Sequence, residues 1–160
     1  MFINIVICFL LLGICESFIF PVNIKNIFNI NKSPDVSIEI YKGINTRGIS
    51  SFITNERYGN LPNNLYNEMV GMMDRDFSYR RKNCYSNLPF TILLAIKDDN
   101  VVGVISVECC DIHINGKKEN HPIISNLIVS SKMRRKGIAK LLTTRAEKIA
   151  KSFAYKNIYL

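Results

Sequence analysis

The chain has 160 residues, 48% of them hydrophobic and 21% charged, which is enough apolar material for one packed domain and too much for a disordered chain. Its 21 Lys and Arg exceed its 13 Asp and Glu, a formal net charge of +8, so an anionic partner is expected: nucleic acid, a membrane surface or a phosphorylated small molecule. Residues 131–160 hold the excess, with nine basic side chains (Lys132, Arg134, Arg135, Lys136, Lys140, Arg145, Lys148, Lys151, Lys156) against Glu147 alone.

Residues 1–17 read as a signal peptide. Ile5 to Ile14 is an almost unbroken apolar run, of h-region length and too short for a comfortable membrane span. Cys15-Glu16-Ser17 puts small residues where a signal peptidase reads, although the n-region lacks Lys and Arg. Residues 18–35 form a possible transit or linker segment: up to Pro34 it carries Lys25 and Lys32, no acid, and Asn23, Asn26, Asn29 and Asn31. A leader of this kind suits entry to the secretory route and passage to a secondary plastid such as an apicoplast, with secretion or endomembrane residence as the alternative. No membrane association is expected unless the signal segment is retained.

From Val36 to Leu160 the pattern is that of a mixed α/β domain. Val36 to Lys42 alternates as a strand, and Leu61 to Lys82 carries a helical stripe at Leu65, Met69, Met72 and Met73. That helix closes on Arg80, Arg81 and Lys82, which suit the negative end of its dipole. Phe90 to Lys97, Asp98-Asp99-Asn100 and Val101 to Val107 predict a hairpin. Asn115-Gly116 marks a turn, Ile123 to Ser130 a strand, Gly137 to Phe153 a helix and Asn157 to Leu160 a last strand. The expected order is therefore β-α-β-β-β-α-β. Cys84, Cys109 and Cys110, left after the leader, are too few and too odd in number for a disulfide framework, and buried thiols are expected.

The stretch from Ile123 to Phe153 carries the chemistry. A strand runs into Arg134-Arg135-Lys136-Gly137-Ile138-Ala139, and a helix follows with apolar positions at Ile138, Leu141, Leu142, Ala146, Ile149 and Phe153. The first turn of a helix presents unpaired N–H groups at a positive dipole end, a ready receptor for phosphate. Gly137 lets a ligand approach the backbone, and the flanking cations add charge-assisted bonds. A Walker loop and a dinucleotide fingerprint are both absent, because Gly137 is the only glycine of the turn.

Arg134-x-x-Gly137-x-Ala139, after Asn126-Leu127-x-Val129 and before an amphipathic helix, resembles the acetyl-CoA motif of the GNAT N-acetyltransferases. The hairpin with Gly103 in VVGVISV strengthens that resemblance. Strand and turn look most like the ribosomal-protein and plastid N-terminal acetyltransferase branch. The resemblance covers residues 36–160 and implies an acyl-CoA N-acyltransferase fold with acetyl-CoA as cosubstrate and no metal. It implies that Arg134, Arg135, Lys136, Gly137, Ile138, Ala139 and Lys140 hold the pyrophosphate. Leu127, Ile128 and Val129 would lie along the pantetheine arm, Leu127 and Val129 pairing with it through their backbone. An amine of a protein or peptide, an N-terminal α-amine or a lysine, would attack the acetyl carbon directly in a ternary complex.

Compared with the family, the chain stops at Leu160 inside the expected fifth strand, so the final helix and strands are missing from the pattern. A C-terminally truncated enzyme is expected, with a non-catalytic CoA-binding remnant or a basic nucleic-acid-binding module as the other readings. Residues 131–152 contain no aromatic side chain for base stacking, so nucleic acid is not the expected partner. No residue is assigned as catalytic acid or base. Glu108 is the nearest carboxylate, weighed against a solvated glutamate on a strand face. Cys109, Cys110, His113 and His121 lack the spacing of a zinc site. Tyr58, Tyr66, Tyr79 and Tyr85 fall in or near the segment that would shape the acceptor groove, where ordinary packing is the simpler role.

Overall fold

The computed structural model describes residues 3–7, 18–22, 35–84, 87–114 and 116–160. Most of the leader read in residues 1–17 and of the segment 18–35 lies outside these residues, as do Tyr85 and Asn115. Within the leader region, β1 (Ile3–Ile7) and β2 (Phe18–Val22) pair antiparallel with each other.

A four-stranded antiparallel sheet in the order β3-β4-β5-β6 organises the rest. Its strands are β3 (Ser37–Ile40), β4 (Thr91–Lys97), β5 (Asn100–Ile114) and β6 (Lys117–Val129). Helices α1 (Arg47–Tyr58) and α2 (Asn63–Lys82) intervene between β3 and β4, and α3 (Ile138–Ser152) follows β6. The expected α/β class and strand–helix order are present, with one helix more than the sequence pattern showed.

Strand alternation gives the sheet two apolar faces. Leu93, Ala95, Ile105, Val107 and Ile124 face α3, where Ile138, Leu142, Ala146 and Ala150 cover them. Ile92, Leu94 and Val104 turn the other way and pack with Ile49 and Ile53 of α1 and Phe77 of α2. Phe77 is fully buried and lies 5.8 Å from the Phe90 ring. Asp98 and Asp99 both take positive φ (48° and 59°) in the two-residue β4–β5 turn, which matches the twist of the strands it joins.

Several boundaries differ from the sequence pattern. The β5–β6 hairpin extends to Ile114 and Lys117, well beyond the apolar runs, and along this part of the ladder Lys118 pairs with Asp111 and Asn120 donates to it. The last segment forms an isolated parallel bridge between Tyr159 and Ile123 in place of a full strand. In α2 the buried face carries Val70 and Phe77 with Met73, while Leu65 and Met72 are exposed. Phe153 lies just past the end of α3 and is exposed, and Ala150 takes the inward position. The stripe in α2 is displaced because that face turns inward polar groups as well: Asp74 accepts a hydrogen bond from Thr46, and Arg81 donates to the Gly43 carbonyl at 2.6 Å.

Helix α1 is the element the sequence pattern hid. Its buried positions alternate apolar and polar, Ile49 and Ile53 beside Ser50 and Thr54, so no clean stripe shows. The Asn45 side chain takes the Arg47 N–H at 2.9 Å, and Gly59 ends the helix with φ 64°.

Gly103 sets the distance between β5 and α3. A Cβ there would sit 3.1 Å from Leu142 Cδ1, 3.2 Å from Ile138 Cγ2 and 3.3 Å from Ala95 Cβ. Gly103→Val should lift the start of α3 from the sheet and destabilise the fold by about 2 kcal/mol, the usual scale of overpacking, as read from urea unfolding.

Candidate functional site

A bulge divides β6 into two unlike halves. Val104 pairs with Ile128 and Ser106 with Ser125, so Asn126 and Leu127 together oppose Ile105 alone. Asn126 adopts φ 54°, a conformation asparagine tolerates better than most residues. Its side-chain amide donates to Ser106 Oγ at 3.1 Å, and Ser106, fully buried, bonds in turn to the Ser125 carbonyl (3.1 Å) and hydroxyl (2.8 Å).

The extra residue changes which peptide groups face outward. Before the bulge, the Ile124 N–H donates to Tyr159 O at 2.7 Å and Tyr159 N–H to Pro122 O at 2.9 Å, so the terminal segment closes that edge. After the bulge, the Ser130 N–H donates to Val102 O across the β5 side at 2.9 Å. By alternation, Ile128 also faces β5 while the peptide groups of Leu127 and Val129 face outward. No strand pairs with this half of β6 among the described residues. The result is an edge able to accept an extended, amide-bearing ligand as if it were a strand.

That edge runs directly into the basic turn. A 3-10 turn at Ser131–Met133 leads to Arg134, Arg135 with φ 60°, and Gly137 with φ 80° at the N-cap of α3. No side chain among the described residues caps the helix at Gly137, and its start is the positive end of the helix dipole. Arg134, Arg135, Lys136 and Lys140 are exposed around it, and Gly137 and Ala139 are half-buried. Ile138 is buried beneath α3 and can offer a ligand only its N–H. Leu127 and Val129 pack toward the α3 side and Ile128 toward α1 and α2. Of the ten residues singled out in the sequence, Leu127 and Val129 lie on the outward edge and residues 134–140 on the turn and helix start that follow it, whereas the peptide group of Ile128 faces β5. Arg134 also donates its Nε–H back to the Val129 carbonyl at 3.2 Å, so the side chain braces the turn.

Glu108 is not a solvated strand-face residue. It is buried on the α2 side of β5, where Arg80 of α2 ion-pairs with it, and Arg80 is also 2.8 Å from Asp76. Burial pushes the Glu108 carboxyl above its usual range, and Arg80 opposes that rise. The sequence signal was present in Arg80, but a basic residue at a helix end reads first as a partner of the dipole. Tyr58 and Tyr79 are exposed and Tyr66 half-buried on the helices of this side.

The cysteines form no disulfide among the described residues. Cys109 packs toward α3, whereas burial, reinforced by Glu108, pushes the Cys110 thiol up to about 12. Among the described residues no cluster of His, Cys, Asp or Glu is placed to hold a metal ion. No helix among them is long and apolar enough to cross a membrane.

The model of the acetyltransferase (GNAT) family matches residues 60–160, which include the bulged strand, the turn and α3. The chain belongs to the GNAT family. Its fold is shared with a predicted acetyltransferase from Clostridium acetobutylicum solved with acetyl-CoA, at 18% identity and TM-score 0.56 over 77% of this chain and 78% of that one. Glucosamine-6-phosphate N-acetyltransferase from Arabidopsis thaliana aligns over 79% and 82% of the two chains at 17% identity and TM-score 0.55. An aminoglycoside 6'-N-acetyltransferase from Acinetobacter haemolyticus aligns over 77% of each at 16% identity and TM-score 0.54. No curated protein is significantly similar in sequence. These likenesses carry the fold and, with the family, acetyl transfer from acetyl-CoA in general.

The Glu108–Arg80 pair makes a pH-dependent prediction for this GNAT domain. A carboxyl whose folded pKa is raised favours the fold when protonated, so its ionisation costs stability as pH rises, and Arg80 offsets that cost. Arg80→Ala should therefore destabilise the domain by about 3 kcal/mol well above the Glu108 pKa. The deficit should shrink as pH falls and Glu108 takes up a proton, in urea unfolding measured across pH.

Proposed function

We propose that the chain transfers the acetyl group of acetyl-CoA to an amine of a protein or peptide, an N-terminal α-amine or a lysine. The observation that carries the cofactor half is the outward edge at Leu127 and Val129 running into an uncapped helix start at Gly137. The pantetheine amides would extend the sheet along that edge, and the pyrophosphate would lie on the N–H groups of residues 135–140 beside Arg135, Lys136 and Lys140. A neutral acceptor amine would attack the acetyl carbon, the C–S bond would break, and the CoA thiolate would take up a proton. A backbone N–H of the open edge, aimed at the thioester oxygen, would stabilise the charge that develops there.

The acceptor class rests on the likeness of the NLIV strand and RRKGIA turn to the ribosomal-protein and plastid N-terminal acetyltransferase branch. The leader supports a compartment to match: the apolar run Ile5 to Ile14 would direct the chain into the secretory route, and the acid-free residues 18–34 onward to a plastid.

Isothermal titration should show acetyl-CoA binding and no comparable binding of a short oligonucleotide. Gly137→Glu should abolish it, because a carboxylate and a side chain would both occupy the phosphate position. Release of free CoA thiol is then followed with four acceptors: a peptide with a free N-terminus, an N-blocked lysine peptide, an aminoglycoside and glucosamine 6-phosphate. Turnover with a peptide is expected. Turnover with only the small-molecule amines would overturn the acceptor assignment, and binding of the oligonucleotide alone would overturn the cofactor assignment.

A further inference from the structure

Glu56, on the last full turn of α1, reaches across to the segment that links the open edge of β6 to the basic turn. Its Oε1 accepts the Ser130 hydroxyl at 2.9 Å, and its Oε2 accepts the Ser131 N–H at 2.7 Å. Oε2 also lies 3.9 Å from the Arg134 guanidinium. Arg134 in turn donates to the Val129 carbonyl, so one carboxylate ties together β6, the 3-10 turn and the approach to Gly137. The Glu56 side chain is only 18% exposed. A charged group held there with both oxygens engaged is costly to disturb.

The charge of Glu56 is the wrong one for its place. A carboxylate beside a phosphate-binding turn repels the ligand and cancels part of the Arg134 charge. If charge were its only contribution, its loss would improve binding. The bonds to Ser130 and Ser131 act in the other direction, because they fix where the N–H groups ahead of α3 point and how the outward edge at Val129 meets them. A ligand lying along both must find them in register, and a loose joint would have to be ordered at the cost of binding energy.

We propose that Glu56 is a positioning residue for the cofactor turn, holding the β6 edge and the phosphate-receiving helix start in the relative placement that one ligand can span. This inference rests on the acetyl-CoA reading above and adds α1, an element that carries none of the family motif, to the machinery of binding. It also makes α1 and the cofactor turn parts of one frame, so that a disturbance of α1 is felt at the phosphates.

The sign of the effect tests it. Isothermal titration with acetyl-CoA on the full chain should show Glu56→Ala binding about tenfold more weakly than wild type, despite the loss of a repelling charge. Glu56→Gln, which keeps one acceptor oxygen at that reach, should recover part of the affinity. Ser130→Ala removes one anchoring bond and no charge, and should weaken binding severalfold. Glu56→Ala binding as tightly as wild type, or more tightly, overturns the inference. If Glu56→Ala does not fold, Ser130→Ala decides, and unchanged affinity in that variant overturns it. Failure of wild type itself to bind acetyl-CoA is a separate outcome, which removes the acetyl-CoA reading and the inference with it.

Discussion

The extra residue at Asn126 is the constraint on which the site depends. An antiparallel strand presents its peptide groups alternately to either neighbour, so a regular β6 would keep one register along its length. The bulge shifts that register by one residue. Ile124 can then bond outward to the terminal segment, while Ser130 bonds inward to β5 and leaves Leu127 and Val129 facing out. Among the described residues the sheet is thus closed at one end of β6 and open at the other. The Ser106–Ser125–Asn126 hydrogen bonds hold this arrangement from beneath. A polar network in the middle of an apolar sheet is tolerable only because its members satisfy one another.

Around this edge the two faces of the sheet have different tasks. The α3 side is an apolar core whose close approach at Gly103 fixes the helix axis, and with it the position of the uncapped N-terminus. The α1–α2 side mixes apolar packing with ion pairs and polar tethers, among them Arg80 with Glu108, Arg81 with the Gly43 carbonyl and Thr46 with Asp74. A buried pair such as Arg80–Glu108 adds little net stability over an apolar replacement, but either partner left alone is costly.

Much of this was legible in the residues. A positive excess confined to residues 131–160, Gly137 as the only glycine of the turn, and the 3.6-residue period of α3 together placed a helix N-terminus beside cations. The hairpin at Asp98-Asp99 and the core strands β4 and β5 followed from alternation and turn chemistry. Helix α1 was not legible, because Ser50 and Thr54 share its buried face with Ile49 and Ile53. The inward face of α2 was misjudged for a related reason. Its Arg80 and Arg81 point to partners that only the fold brings near, so in the sequence they read as partners of the helix dipole.

The sequence by itself determined the local rules: which segments alternate, where the chain must turn, and where a phosphate would find cations and free N–H groups. It also carried the family motif, because that motif is a run of adjacent residues whose spacing is its content. Tertiary structure alone decided the rest. Glu56 and Ser131 are 75 positions apart, and Glu108 and Arg80 are 28 apart. Such contacts depend on how helices cross a sheet, which no local period encodes. The bulge lies between these cases, since Asn126 is suited to positive φ, but only pairing with β5 makes it an extra residue.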